Sequence, residues 1–433
     1  MPSRSAHGLR PALLLAAGLL ACQPADDSLS VEEAMEAVSY ATFQEHMAAL
    51  SSDAMAGRRP GTAGYDSAAA YVVREAAALG LEPGGIDGSY LQPIRFRRAT
   101  VAPGAAAFVA GGQSLAFGSD FSLSPRIYAP ESDIQAPLVF AGFGISAPEL
   151  GYDDFEGVEV EGKLVVVVSG APDGFGSLER TVLSSSKARD AELLARGAAG
   201  VVVIQPEGRP VGSTSRPRTG YLVPGGDEEL GAALVVSRRV ASEWMSRAGR
   251  RLDEVLAAIR GGEPRSFDLG LDARVTARFE YEAYESANVA ALLPGTDPDL
   301  QSEHLVMTAH LDHLGTGEPL DGDSIYNGTL DNASGSSALL TLASVLTRME
   351  APRRSLLFLW VTAEESGLLG AEYFARFPTV DGTVVANQNI DGVMGMIATA
   401  TDMLAFGYEH SNLSAAVDYA VARTGTPISP DPT

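Results

Sequence analysis

His310 and Asp312, Asp331, Glu364 and Glu365, and Asp391 fall in four short segments of the last third of this 433-residue chain. The segments read Thr308-Ala309-His310-Leu311-Asp312, Gly328-Thr329-Leu330-Asp331-Asn332-Ala333-Ser334-Gly335, Thr362-Ala363-Glu364-Glu365-Ser366-Gly367 and Asn389-Ile390-Asp391-Gly392. One imidazole with several carboxylates suits a hard or borderline divalent cation, zinc above all. Such a site hydrolyses by activating water. His310 and Asp312 are two residues apart, so in extended chain they share a side. His310 is then a metal ligand through one ring nitrogen, and Asp312 fixes the ring through the other. Asp331 lies in a loop rich in Gly and Asn, and its two oxygens could bridge two cations. Glu364 and Glu365 repel one another and are costly to desolvate after an apolar strand. As neighbours they point apart, so one can ligate metal while the other takes a proton from water. Alone, each motif has a plainer reading: a surface pair, a helix cap, an acidic first turn, a turn residue before Gly392. Their joint occurrence, order and placement favour the metal site.

The elements needed to position these groups are legible around them. His304 to Ala309, Leu356 to Val361 and Val384 to Ile390 read as strands. Ser334 to Leu346 reads as a helix with Ala338, Leu339, Leu342 and Leu346 at helical spacing, and Leu368 to Phe374 as a shorter one. This alternation predicts an α/β fold with a mainly parallel mixed sheet flanked by helices. Ligands gather at the carboxyl ends of strands in such sheets, where the four segments fall. Upstream, Phe43 to Leu50 and Asp66 to Leu79 read as helices, the second closed by Gly80. The stretch 125–270 has its own β-rich runs, around Pro137-Leu138-Val139-Phe140, Lys163 to Val168 and Val201 to Ile204. A helix from Lys187 to Arg196 lies among them. It carries none of the metal-type motifs and reads as an inserted domain able to fold alone. The remainder, 41–124 with 271–433, forms the catalytic domain.

The formal charge of −24 argues against nucleic acid, which needs a basic face. No internal apolar run reaches the ~18 residues of a membrane span. At the N-terminus Arg4 and Arg10 precede the apolar run Ala12 to Leu20, the pattern of an export signal over 1–21. Leu19-Leu20-Ala21-Cys22 reads as a lipobox, so lipidated Cys22 would begin the mature chain; a plain secretory signal is the alternative. Cleavage would leave a net charge of about −26. Cys22 is the only cysteine, so no intramolecular disulfide forms. Residues 22–40 are polar and acidic and read as a tether.

The ordered set His-x-Asp, Gly-x-x-Asp-Asn-x-Ser-Gly, Glu-Glu-x-Gly-x-x-Gly and Asn-x-Asp resembles the co-catalytic zinc exopeptidases of metallopeptidase family twenty-eight. That family includes secreted aminopeptidases and the glutamate carboxypeptidase group. Gly57-Arg58-Arg59-Pro60-Gly61-Thr62 looks like a loop near the start of their catalytic domain, and 125–270 is similar to the protease-associated (PA) domain often inserted there. The resemblance implies a phosphorylase/hydrolase-like fold and two zinc ions. His310 and Asp391 would bind the first zinc, Asp331 would bridge both, and Glu365 would bind the second. Glu364 would be the general base, Asp312 would orient His310, and the Asp331–Asn332 peptide would be cis. The family's further histidine, in a downstream Ser-Asp-His segment, has no counterpart here. Tyr408-Glu409-His410-Ser411 does not match it, so the chain reads as C-terminally incomplete and the second zinc as short of one ligand.

The expected function is a zinc exopeptidase, first an aminopeptidase, hydrolysing peptides or small proteins by a metal-activated water. Carboxypeptidase or dipeptidase action on the same scaffold is the enzymatic alternative, with glutaminyl cyclisation behind it. A non-catalytic scaffold is the other class. Expected location is the bacterial cell envelope, with membrane contact only through Cys22, or the periplasm or medium. Oligomeric state is not legible.

Overall fold

A computed structural model describes residues 28–212, 217–392 and 402–429. The signal segment and Cys22 lie outside the described residues. The first helix, α1 (Val31–Ala37), lies in the stretch read as a tether. It starts on a capping box in which Ser30 accepts from the Glu33 N–H while the Glu33 carboxylate takes the Ser30 N–H. Its acidic composition hid the helix. The cap and an ion pair from Arg423 to Glu32 hold it, and Leu29 bridges Met349. Next come α2 (Tyr40–Leu50) and α3 (Ala63–Ala78). The latter is capped by the Thr62 side chain and buries Tyr65, Ala68, Val72 and Ala76 along one face.

The middle of the chain supplies β1 (Leu91–Val101), β2 (Ala107–Ala110), β3 (Phe121–Ser124), β4 (Glu131–Ala141) and β5 (Leu164–Val168). These are followed by α4 (Ser186–Ala195), β6 (Gly200–Ile204), β7 (Arg218–Tyr221), β8 (Ala233–Val236), α5 (Arg238–Arg247) and α6 (Leu252–Arg260). β4, β5, β6 and β8 are parallel neighbours, with β3 antiparallel at the edge. This sheet includes β2 and β3, which precede residue 125.

The 28-residue strand β9 (Ser266–Leu293) joins that sheet to the rest. Its first part, Ser266–Arg278, pairs with β4; Phe279–Val289 pairs with β1; Val289–Leu293 pairs with β11 (Ser355–Val361). The residue 270/271 boundary read from the sequence therefore falls inside one strand, next to a register shift between Asp268 and Leu271. Alternating Arg274-Val275-Thr276-Ala277-Arg278-Phe279 buries every second side chain, the signature of a strand with one covered face.

Beyond β9 run β10 (Glu303–His310), α7 (Gly335–Leu346), β11, α8 (Leu369–Arg376) and β12 (Thr383–Asn389). β10 lies parallel between β11 and β12. This is the mixed, helix-flanked α/β sheet expected. β11 is apolar from Leu356 to Val361, with both its faces covered. Phe358 and Trp360 pack with α3 and α7, whereas Leu357, Leu359 and Val361 face Phe374 of α8. Each such side chain contributes about 1.5–3 kcal/mol by burial. Among the described residues, no helix is long and apolar enough to cross a membrane.

Candidate metal centre

The parallel register sets the ends of three strands side by side. His310, the last residue of β10, is level with Val361, and Thr308 is level with Asn389. The Thr308 hydroxyl donates to the Asn389 side-chain oxygen at 2.8 Å. Glu364 and Glu365 leave β11 in a turn, and Asp391 stands two residues past β12. Asp331 enters from the loop before α7, and its peptide to Asn332 is cis. Buried Asn332 locks this loop to the Asp391 loop. Its amide donates to the Ile390 carbonyl at 3.0 Å, and its oxygen accepts from the N–H groups of Gly335 (2.8 Å) and Gly392 (3.1 Å).

His310 Nε2 lies 3.0 Å from Asp331 Oδ1, 3.3 Å from Asp391 Oδ1 and 4.0 Å from Glu364 Oε2. Burial opposes the charged imidazole, but the bond to Asp391 and the charges of Asp312, Glu364 and Asp391 outweigh it and push His310 up to about 9. The bond to His310 holds Asp391 below the usual carboxylate range. The Glu364 carboxyl is raised by burial; His310 pulls it down, and Asp391, Glu365 and Asp331 add to the rise.

Asp312 differs from the sequence expectation. The group at His310 Nδ1 is the Asp312 backbone carbonyl, at 3.1 Å, while its carboxylate stands 3.9 Å away. That fully buried carboxylate instead accepts from the N–H groups of Glu364 (3.0 Å) and Glu365 (3.3 Å). A chain that turns after Asp312 presents its carbonyl to the ring and aims its side chain at the neighbouring strand end. Burial pushes the Asp312 carboxyl up to about 7.

Two residues stand here that the sequence reading left without a role. His313 Nδ1 is 2.7 Å from Glu365 Oε1. The only signal was its place directly after the His-x-Asp pair. Arg58 is fully buried and donates to four carbonyls: Leu50 (2.6 Å), Leu311 (2.8 Å), Asn327 (2.7 Å) and Gly328 (2.9 Å). It fastens the chain after β10 to the loop that carries Asp331. The turn before it needs Gly57, at φ +68°, because a Cβ there would sit 2.4 Å from the Gly315 carbonyl oxygen. His410 is exposed and belongs to neither group of potential ligands.

Those groups are His310, Asp331, Asp391 and His313, Asp331, Glu365, each with its ligand atoms within 4.8 Å of one another. Among the described residues, the ion pairs of Asp331, Asp391, Glu364 and Glu365 are all with His310 or His313. Carboxylates so crowded beside two imidazoles fit divalent cations. Nitrogen and oxygen ligands at ~2.0–2.2 Å from zinc in a tetrahedron stand about 3.3 Å apart. The separations at His310 Nε2, 3.0 and 3.3 Å, match that spacing.

The α/β sheet thus brings both groups of potential ligands to the ends of its parallel strands. Residues 288–433 match the model of Peptidase family M28. The matched stretch is the one that carries the site. A vacuolar membrane protease of Yarrowia lipolytica is 27% identical over 139 residues, 32% of this chain and 12% of that protein, so the chain spans only a small part of that relative. Among solved structures, an aminopeptidase from Aneurinibacillus sp. strain AM-1 superposes with a TM-score of 0.51 at 19% identity, over 92% of this chain and 81% of that one. This likeness is one of fold. A zinc aminopeptidase from Bacillus subtilis is similar at a TM-score of 0.39 and 17% identity, over 92% and 79% of the two chains.

Proposed function

We propose that this protein is a zinc-dependent exopeptidase of the aminopeptidase type that acts on peptides or small proteins, exported and lipid-anchored at Cys22. The observation that carries the reading is the meeting of two histidine–carboxylate groups at Asp331, with Glu364 beside them at the strand ends. Two zinc ions held there would supply Lewis acidity to a scissile carbonyl and make a water easier to deprotonate. Glu364 would take a proton from the attacking water and hand it to the leaving amine. Its raised proton affinity suits both halves of the transfer. His310, Asp331 and Asp391 would hold one cation, Asp331 and Glu365 the other. Asp312 keeps the Glu364–Glu365 turn in place through their N–H groups.

The aminopeptidase direction is supported by the likeness of fold to the aminopeptidase from Aneurinibacillus sp. strain AM-1.

Glu364→Gln tests the mechanism on an aminoacyl-arylamide. The expected result is a fall in kcat of about 10²–10⁴-fold with metal content unchanged, the usual contribution of a general base. Full-rate hydrolysis by the variant would sink the assigned role. Cleavage by the wild type of the same arylamide carrying an N-acetyl group, at an undiminished rate, would sink the aminopeptidase direction.

A further inference from the structure

We propose that Asn288 is a positioning residue for Glu364: its buried side-chain amide closes both ends of the loop from Thr362 to Gly370. The inference rests on the role given to Glu364 above. Asn288 Oδ1 accepts from the Thr362 N–H at 2.9 Å, where β11 gives way to the loop. Its Nδ2 donates to the Gly370 carbonyl at 2.9 Å, where α8 begins, and to Gln92 Oε1 on β1 at 2.8 Å. The Gln92 amide in turn donates to the carbonyl of Phe377, just past the end of α8, at 2.6 Å. Asn288 is fully buried and Gln92 nearly so. Both hydrogens of Nδ2 and the Oδ1 are thus engaged, which leaves the amide a single orientation.

The loop requires such a closure. Its own bonds are nested, from the Gly370 N–H to the Thr362 carbonyl (3.0 Å), Leu369 to Ala363 (3.1 Å) and Leu368 to Glu364 (2.9 Å). Ala363 and Leu368, on either side of Glu364 and Glu365, stand at φ +55° and +63°. Residues other than glycine hold this left-handed region only where their surroundings impose it. The two ends of the loop also meet closely: a Cβ on Gly370 would lie 2.1 Å from the Thr362 carbonyl oxygen and 2.5 Å from Asn288 Oδ1. Asp312 fixes the interior of the loop through two N–H groups, and Asn288 fixes its base from a different strand, β9. Backbone pairing of β9 with β11 ends at Val289 and Trp360, and the side chain of Asn288, one residue further, continues it. A general base works only within hydrogen-bond reach of the proton it takes. A displacement of about 1 Å, caused far from the chemistry, can cost about 10²-fold in rate.

The experiment compares wild type, Asn288→Ala, Gly370→Ala and Ser286→Ala at saturating zinc on an aminoacyl-arylamide. Ser286→Ala is the control, because the Ser286 hydroxyl bonds only the Thr362 hydroxyl, at 2.7 Å in the same buried layer, and neither backbone end of the loop. Asn288→Ala and Gly370→Ala should lower kcat by about tenfold or more with KM nearly unchanged, and Ser286→Ala should keep both constants. Amide hydrogen exchange of the metal-free chain supplies a readout apart from activity. Residues 363–369 should exchange about tenfold faster or more in the first two variants, with α7 unchanged. A wild-type kcat in Asn288→Ala would overturn the positioning role, and if Glu364→Gln is inactive the exopeptidase reading stands without it. A fall in kcat without faster exchange at 363–369, or an equal fall in Ser286→Ala, would overturn the role as well. Absence of hydrolysis by wild type would overturn the exopeptidase reading and the role given to Glu364, while faster exchange in Asn288→Ala would still identify Asn288 as the closure of the loop. Tryptophan fluorescence identifies unfolded protein. If Asn288→Ala does not fold, Gly370→Ala, which keeps every side chain of the buried layer, decides by the same two readouts.

Discussion

At the scale of single residues, Asp312 shows how one side chain's placement reassigns its work. A carboxylate two positions after a ligand histidine invites the reading that it orients the ring. The structure gives that task to the Asp312 carbonyl, 3.1 Å from Nδ1, which survives any substitution of the side chain. The carboxylate holds the Glu364–Glu365 turn instead. The two roles predict different losses. In Asp312→Ala, affinity at the His310 site should stay near wild type. Affinity at the Glu365 site should fall by about 10–100-fold, the usual effect of removing a supporting partner. Two backbone N–H groups would lose their acceptor, at about 1–3 kcal/mol each. Zinc affinities measured separately for the two sites, beside a urea unfolding curve, check this. Selective loss at the His310 site would restore the ring-orienting role.

At the scale of elements, what the sequence revealed follows from how local each signal is. β10, β11, α3 and α7 were legible because apolar residues recur at the period of one element within a few positions. Their ends then located His310, Asp331, Glu364, Glu365 and Asp391, since carboxylates beside apolar strands stand out. Arg58 lay in a loop noted for its likeness to one near the start of a catalytic domain, with no role for the arginine itself. Its bond to the Leu311 carbonyl spans 253 residues, and no local pattern encodes it. The same holds for Asn332, whose amide reaches Ile390 across 58 residues. β9 was missed for another reason. Its alternation is plain, but reading a domain boundary near residue 270 divided it. The Arg58 clamp makes a prediction of its own. Arg58→Met removes the donors to four carbonyls in three segments and should destabilise the chain by roughly 3 kcal/mol or more. Arg58→Lys should recover part of this, because an ammonium has three donors and lacks the planar fork. Urea unfolding at saturating zinc measures both. A methionine variant within 0.5 kcal/mol of wild type, a change no larger than that of an ordinary surface substitution, would remove the clamp from the account.

At the scale of the whole molecule, the question is whether the metal centre stabilises only its own half of the chain. Domain boundaries usually fall in exposed linkers that few contacts cross. Here the junction is crossed by β9, continuous from Ser266 to Leu293, and by β7, which pairs with β1 from within the middle block. The middle block also grips α8, the helix that follows Glu364 and Glu365. Tyr221 donates to Glu372 at 3.1 Å, Lys187 pairs with the same carboxylate, and Asp227 pairs with Arg376. Unfolding either half strips hydrogen bonds from the other, so the two should melt together despite the chain's size. The chain's two tryptophans can report this, because Trp244 lies in the core of the middle block and Trp360 in the core behind the site. Bound cations stabilise the folded chain by mass action, about 4 kcal/mol at a free concentration 1,000-fold above Kd. Without them the carboxylates around Asp331 are left, among the described residues, with His310 and His313 as their ion-pair partners. Chelation should therefore lower the melting temperature seen by tryptophan fluorescence, and by the same amount in Trp244→Phe, which leaves Trp360, as in Trp360→Phe, which leaves Trp244. If chelation shifts the Trp360 signal and leaves the Trp244 signal in place, β9 does not couple the halves and the middle block is thermodynamically separate.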